Sequence, residues 1–411
     1  MSTKNIVVIG TLDTKGEQIL FLKERLEERK CKPIVVDLSM GGKPFFQADI
    51  TPRTIAQAGG QSIEDILVSK DRYTITQVMQ RGAIEEVKKL YSAGKVDGII
   101  AVGGITMGFI GSAVMKVLPF GMPKVIVCPA VMPMYITKLF GSQDIAILQT
   151  LVELAGLNDM VKNVLTRAAG AVCGMADVVD TRDGFKLPAK SIAITQDGFS
   201  EQCAGRVRQQ LEEKGYTVYP FHSQGISDRA MEDLITQGFF DGVVDIVSNG
   251  VIDEIFEGNR PGGPERLEAA GKRGIPHVIA PSSINTTGCG PTRKHAEKYA
   301  SRERIDKIDD LRMATRYNTE ELTIAARAYA EKLNKAKGPV KFVFPLRGWS
   351  SGDREGSILH APEEDKVFVE ELRRNLRPGI EIEEVDCNLE DPEFADVLVE
   401  NLIKMFSIKK G

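Results

Sequence analysis

Two short turns in the first quarter of the chain carry the residue types that hold phosphate. The first, GTLDTKGEQ (residues 10–18), follows an apolar strand that ends in Gly10 and opens an amphipathic helix at about Gly16. Thr11 and Thr14 offer hydroxyl donors and Lys15 a positive charge. Asp13 offers a carboxylate for Mg²⁺, which binds through one or two carboxylates beside phosphate oxygens. The second, AVGGITMGFIGS (residues 101–112), runs from a strand through Gly103, Gly104, Thr106 and Gly108 into a helix. Glycines let backbone amides approach a ligand, and a helix N-terminus favours an anion through its unpaired N–H groups and dipole. Neither turn is a Walker A loop or a GxGxxG motif, and ordinary capping or tight packing accounts for each alone. Two such turns at one sheet edge predict a shared nucleotide site.

The second half offers another polar group. SNGVIDEIFEG (248–258) supplies Asn249, Asp253 and Glu254 after a strand, and NRPGGPERL (259–267) supplies Arg260, Gly262, Gly263 and Arg266. PSSINTTGCG (281–290) adds Ser282 among hydroxyls and amides. Together they predict a second pocket for a small anionic ligand, with turn chemistry and Arg–carboxylate pairs as the plain alternative. The loop LRGWSSGDREGSILHAPEED (346–365) holds Arg347, the one Trp of the chain, Ser350, Asp353 and His360. It reads as a lid, an interface cover or a Ser–Asp–His constellation without the GxSxG elbow that would mark one. The four histidines include no HxxxH-type pair, so no structural zinc is expected.

Positioning these turns requires a repeated scaffold. Residues 4–37 and 190–222 each read as a Lys, a β-branched run, a polar turn, an amphipathic helix and a second strand. Downstream, VDGIIAVGG (96–104) pairs with FDGVVDIVSNG (240–250), and GMPKVIVCPA (121–130) with GIPHVIAPSS (274–283). Continuous apolar strands alternating with helical patterns predict parallel sheets with right-handed crossovers. The fold class is therefore α/β, two tandem Rossmann-like domains related by internal duplication. The break falls near TRDGFKLPAK (181–190), giving a nucleotide-binding domain over 1–185 and a second domain over 186–411. The polar stretch 291–336 reads mostly helical. It is followed by a strand at 340–346, a helix within 363–376, a strand near 380–386 and a final helix.

Apolar residues make up 42% and charged residues 27%, the mixture of a soluble globular protein. A net charge of −4 and a pI near 5.8 give no reason to expect nucleic-acid binding. No apolar run approaches the roughly 20 residues that span a bilayer, and the start MSTKNIVVIG lacks signal-peptide regions. The six cysteines are scattered without a CxxC pair, which predicts buried free thiols in the cytoplasm.

GTLDTKG, the GG-x-T-x-G turn after what reads as the fourth strand, LPFGMPKVIV, GSQDIAILQTLVELAGLN and LRGWSSGDREG occur here in one order. In that order they resemble the family of the ATP-binding inhibitory region of the tomato protein that blocks tomato mosaic virus replication, a family with many bacterial and fungal relatives. The resemblance spans essentially the whole chain. It implies two Rossmann-like subdomains, ATP with Mg²⁺ and a homodimer. It carries a nucleotide role onto Gly10, Thr11, Asp13, Thr14, Lys15, Gly103, Gly104 and Thr106. Where the family often has a further glycine and threonine, this chain has Met107 and Gly108. On this reading the chain binds Mg-ATP and uses it on a small anionic metabolite held by Arg260, Arg266 and Arg347 in an interdomain cleft. The rivals are an ATP-regulated binding protein acting through a protein partner, and an ATP-independent lyase or hydrolase using the His360 loop.

Overall fold

The structure is a computed structural model that describes residues 3–129, 133–178 and 186–408. The chain divides into two compact units, Met1–Lys186 and Leu187–Gly411. The predicted break at 181–190 lies partly outside the described residues, as does Ala130 at the end of its repeat segment.

Unit 1 runs β1 (Asn5–Gly10), α1 (Leu12–Glu28), β2 (Lys32–Asp37), α2 (Pro52–Ala58), α3 (Ile63–Val68) and α4 (Arg72–Ser92). It continues through β3 (Gly98–Val102), α5 (Ile105–Met115), β4 (Lys124–Cys128), α6 (Pro133–Phe140), β5 (Ala146–Gln149) and α7 (Asp159–Val178). The strands form a parallel sheet in the order β2-β1-β3-β4-β5. Alternate residues of each strand face opposite ways. Val7, Ile9, Ile99 and Ile126 pack under α2 to α5, while Ile6, Val8, Ile100 and Val125 pack under α1 and α7. Burial on both faces is why these strands read as unbroken apolar runs. The Gly103–Gly104 turn follows the third strand and not the fourth, because helices alone fill the interval between Asp37 and Gly98.

Unit 2 repeats the plan with β6 (Ser191–Gln196), α8 (Glu201–Glu213), β7 (Thr217–His222), α9 (Ile226–Gln237), β8 (Gly242–Asp245), α10 (Gly250–Ile255), α11 (Ala269–Arg273) and β9 (His277–Ile279). A small insert follows, comprising β10 (Thr286–Gly288), α12 (Ala296–Ala300), β11 (Ile305–Lys307) and β12 (Met313–Arg316). The unit closes with α13 (Thr319–Asn334), β13 (Val340–Pro345), α14 (Pro362–Asn375), β14 (Glu381–Val385) and α15 (Pro392–Ile408). Its parallel sheet has the order β14-β13-β9-β8-β6-β7, the first sheet's order read from the other end with one strand added. Helices α8 and α15 cover one face, and α9, α11, α13 and α14 cover the other. Both units are Rossmann-like and follow one duplicated plan. The stretch 291–336 corrects the expectation of a mostly helical segment. Its first half forms β11 and β12, which with β10 make a three-stranded antiparallel sheet, and α13 is its only long helix.

All six cysteines are buried free thiols, with Cys31 Sγ 2.8 Å from Cys173 Sγ. No helix among the described residues is long and apolar enough to cross a membrane.

Helices α2 and α4 cross so closely that a Cβ on Gly82 would run into the Ile55 carbonyl, and one on Gly59 into the Val78 carbonyl. Backbone on both sides leaves no flexible side chain to yield. Gly82→Ala is therefore expected to cost unit 1 about 2–3 kcal/mol by overpacking, read as a lower urea midpoint by far-UV circular dichroism.

Candidate functional site

In an open parallel sheet the ligand crevice lies beyond the carboxyl ends of the strands where the winding reverses. In unit 1 that point lies between β1 and β3, which pair from Ile6–Gly98 to Ile9–Ala101. One step further, the register sets the Thr11 turn beside Gly103, so both predicted phosphate turns flank one crevice. A Cβ on Gly10 would lie 3.1 Å from the Val102 carbonyl, which shows how close the two strand ends stand.

The first turn is already well bonded. Leu12 N donates to Asp37 Oδ1 (3.0 Å) and Asp13 N to Ser39 Oγ (3.0 Å), so a carboxylate from the end of β2 covers the start of α1. The helix begins at Leu12, four residues before the predicted Gly16, but Lys15 breaks it at φ −128° and ψ 18°. Thr11 Oγ1 and Thr14 Oγ1 bond one another at 2.7 Å, and Lys15 Nζ donates to the Leu154 carbonyl at 2.7 Å. Asp13 Oδ2 accepts from Gly42 N at 3.0 Å while its buried Oδ1 has no partner.

The second turn is open. Gly104 is the N-cap of α5, and no side chain caps that terminus among the described residues. Its φ is −72°, which any residue adopts, and a Cβ built there meets nothing within 4 Å. Thr106, two residues on, is exposed. The neighbouring glycines differ. A Cβ on Gly103 would press on Met107 at 2.6 Å, and one on buried Gly108 would lie 3.3 Å from Leu139 Cδ2, so those two serve packing. Among the described residues no cluster of three or more His, Cys, Asp or Glu stands ready for a metal ion. Asp13, with its unpartnered oxygen, fits the single carboxylate that Mg²⁺ takes beside phosphate.

In unit 2 the corresponding crevice lies beyond β6 and β8. The N-terminus of α8 is closed by the chain's own carboxylate, since Glu390 accepts from Gln202 N (3.2 Å) and Cys203 N (3.1 Å). The arginines expected to hold an anion are each matched by acids. Arg266 is fully buried. It bonds Asp245 at 2.5 and 2.6 Å, Asp228 at 3.0 Å and Glu232 at 3.2 Å. Arg260 lies 3.1 Å from Asp197 and 3.8 Å from Asp253. Arg347 stands on the surface in a two-pronged pair with Asp386. An anionic ligand would have to displace a carboxylate from each, which is the physical obstacle the sequence pattern concealed.

The other predicted residues do gather at the carboxyl edge. Asn249 Oδ1 accepts from Ser223 Oγ at 3.1 Å, while its Nδ2 and the Ser282 hydroxyl are buried without partners. Glu254 accepts from Gly263 N, fixing the turn in which Gly262 N bonds the Gly250 carbonyl. His360 Nδ1 lies 3.0 Å from Asp353 Oδ1, whose Oδ2 accepts from Trp349 N (2.9 Å) and Asn285 Nδ2 (2.8 Å). Ser350 pairs with Asp353 through the backbone alone, and no hydrogen bond joins its hydroxyl to His360, so the three do not form a triad. Sequence reasoning missed Asp197, which receives both Arg260 and the Ser283 hydroxyl (2.9 Å). The signal was available, because QDGFS stands at the end of β6 as GTLDT does at the end of β1.

Residues 4–181 match the profile described as "Uncharacterised protein family (UPF0261) N-terminal domain", and residues 189–406 that of its C-terminal domain. A UPF0261 protein of Clostridium tetani is 34% identical over 404 residues, covering 98% of this chain and 99% of that protein. The "ToMV susceptible protein tm-1(GCR26)" of Solanum lycopersicum is 25% identical, covering 100% of this chain and 57% of that longer protein. The "ToMV resistance protein Tm-1(GCR237)" of the same plant is 26% identical over 98% of this chain and 56% of its own length. Among solved structures, a UDP-N-acetylglucosamine 2-epimerase aligns over 100% of this chain and 98% of that one at 12% identity and a TM-score of 0.23. A likeness that slight carries no argument about this chain.

Proposed function

We propose that this chain, which belongs to the uncharacterised protein family UPF0261 along both of its domains, binds Mg-ATP in unit 1 between the carboxyl ends of β1 and β3. One observation carries the reading: Gly104 is a glycine that neither its own backbone nor its own packing requires. Glycine at such a place leaves room for a ligand to touch the N-terminus of α5, where unpaired amides and the helix dipole favour phosphate. Thr106 adds a hydroxyl there, and Asp13 is the residue to hold Mg²⁺. Lys15 reaches a phosphate by leaving the Leu154 carbonyl. The choice of ATP among nucleotides and the homodimer come from the resemblance to the tomato inhibitory region, the cytoplasmic location comes from the scattered cysteines without a CxxC pair, and all three belong to the same proposal.

The matched arginines of unit 2 favour the version in which ATP is bound without being spent on an anionic acceptor. ATP then stabilises a conformation that a protein partner recognises, a role in keeping with the tomato relatives' names. Phosphate release with a panel of acids and sugars tests the alternative: turnover with any of them restores the enzyme reading.

The binding test is Gly104→Ala. At about 100 times its dissociation constant, Mg-ATP adds roughly 2.7 kcal/mol to the wild type, a rise in Tm on the order of 5–10 °C for a unit of this size. Gly104→Ala is expected to keep the ligand-free Tm within about 1 °C, because its Cβ meets open space, and to lose the Mg-ATP shift. No shift in wild type, or an equal shift in both, overturns the proposal.

A further inference from the structure

We propose that unit 2 carries a proton-transfer site of its own, with His360 as the acid–base residue and Asp353 as the residue that positions it, acting on uncharged carboxylic esters with water. The proposal is independent of nucleotide binding in unit 1.

The chain has four histidines, and three are closed off or engaged. His277 is 2% exposed beside Asp245, and neither ring nitrogen makes a hydrogen bond among the described residues, so burial keeps it from a ligand. His222 Nε2 meets the Gln224 side chain at 3.2 Å. His295 lies on the surface with Glu257 on Nε2 and Glu297 3.7 Å from Nδ1. His360 is arranged differently. Its Nδ1 is backed by Asp353, while Nε2 has no partner among the described residues and the side chain is 18% exposed.

Asp353 cannot swing away. It is fully buried, its Oδ2 is held by Trp349 N and Asn285 Nδ2, and its carbonyl receives Asn388 Nδ2 at 3.0 Å. A carboxylate fixed as acceptor makes Nδ1 the protonated nitrogen and leaves the lone pair on Nε2. The loop that carries this pair follows β13 and is tied to the turn after β6 by Ser351 N donating to the Phe199 carbonyl at 2.9 Å. It therefore sits at the carboxyl edge, the ligand side of such sheets.

The chemistry follows from the groups present. The Ser350 hydroxyl is not bonded to His360, so water and not serine is the nucleophile. His360 Nε2 takes a proton from water as the water oxygen adds to the ester carbonyl. The C–O bond to the alcohol then breaks, and the same nitrogen returns the proton to the departing alkoxide. An acid and an alcohol result, with no further reactant. Arg316 is shared among Asp353, Glu364 and Asp365, and Arg304 also pairs with Glu364, so each cation beside this loop is already matched and an uncharged ester is the substrate that fits.

The test uses p-nitrophenyl acetate on the full chain without ATP. Wild type is expected to show hydrolysis above the buffer rate. His360→Gln should lower it at least about 10-fold, within the usual worth of a general base. His222→Gln and His295→Gln should leave it unchanged. In ¹⁵N-histidine spectra, wild-type His360 should show the Nδ1–H tautomer at high pH. Asp353→Asn should move it toward Nε2–H and slow hydrolysis, whereas an Asp353 that only braces the loop would leave the tautomer alone. A wild-type rate in His360→Gln, or an Nε2–H tautomer in wild type, overturns the proposal; the second reading needs no variant to fold.

Discussion

Arg266→Met is expected to remove at least about 3 kcal/mol from the stability of unit 2 at neutral pH, the scale of breaking a buried ion pair from one side. The change leaves three carboxylates, Asp228, Asp245 and Glu232, inside the protein without their shared cation. Part of their bonding survives: Gly225 N and Ser223 Oγ still serve Asp228, and Leu267 N and Ala269 N still serve Glu232. Asp245 loses most. Burial pushes its carboxyl up, but the Arg266 guanidinium and His277 beside it override this and hold it well below the usual range. A depressed carboxyl stabilises the fold above its unfolded value near 4 and gives that up as pH falls. The deficit of Arg266→Met should therefore shrink as the medium is acidified. Trp349, the single tryptophan and 2% exposed, reports unfolding of this unit by the red shift of its emission. With a urea slope of about 2–3 kcal/mol/M, the midpoint should drop by about 1 M or more. Arg266→Met combined with Asp245→Leu should recover part of the loss, since it removes an orphaned charge along with its partner. An unshifted midpoint in the single variant would mean that water reaches this cluster and screens it.

The same arginine shows where the sequence stopped being readable. Gly262, Gly263 and Arg266 in one loop look like an anion-binding turn, yet the partners that claim Arg266 lie 38, 34 and 21 positions away. No local pattern reveals a contact closed by the fold. The α8 cap has the same character, because Glu390 comes from a segment 187 positions beyond Cys203. What was legible is what depends on short spacing. Residues 98–102 and 242–244 are unbroken apolar runs because parallel strands bury both faces, and the repetition around them announces the duplicated plan. The 291–336 stretch failed for a related reason. Strands β11 and β12 span three and four residues, too short for a period-2 pattern to emerge from polar sequence, whereas α13 has 16 residues and declares itself. At the site, the pairing of the two glycine turns was legible, but which glycine is free was not. Gly104 and Gly108 look alike until the packing of Leu139 against one of them is known.

Asp365→Asn is expected to gain stability relative to wild type as pH rises from 4 to 7, by about 1.4 kcal/mol per pH unit. Asp365 is 4% exposed, and its Oδ1 is shared between Asn285 Nδ2 and the Arg316 guanidinium. That close ion pair would by itself keep the carboxyl ionised. Burial works the other way, and Asp353 adds a negative charge 3.9 Å from the same guanidinium, so Arg316 is divided among Asp353, Glu364 and Asp365. Desolvation wins, and the Asp365 carboxyl is pushed up to about 7. The unfolded chain releases this proton near pH 4, but the folded one keeps it until about 7. Between those values the folded state binds more protons, so wild-type stability falls as pH rises and levels off above the folded value. Asparagine has no proton to lose and keeps an amide of the same shape beside Asn285. The relative gain should accumulate to at most about 4 kcal/mol and then plateau. Urea midpoints from Trp349 emission at pH 5, 6, 7 and 8 measure it. A difference that is flat across that range would show the carboxyl ionised throughout, with Arg316 outweighing burial. The buried cluster would then carry one more negative charge behind His360 than the divided guanidinium implies.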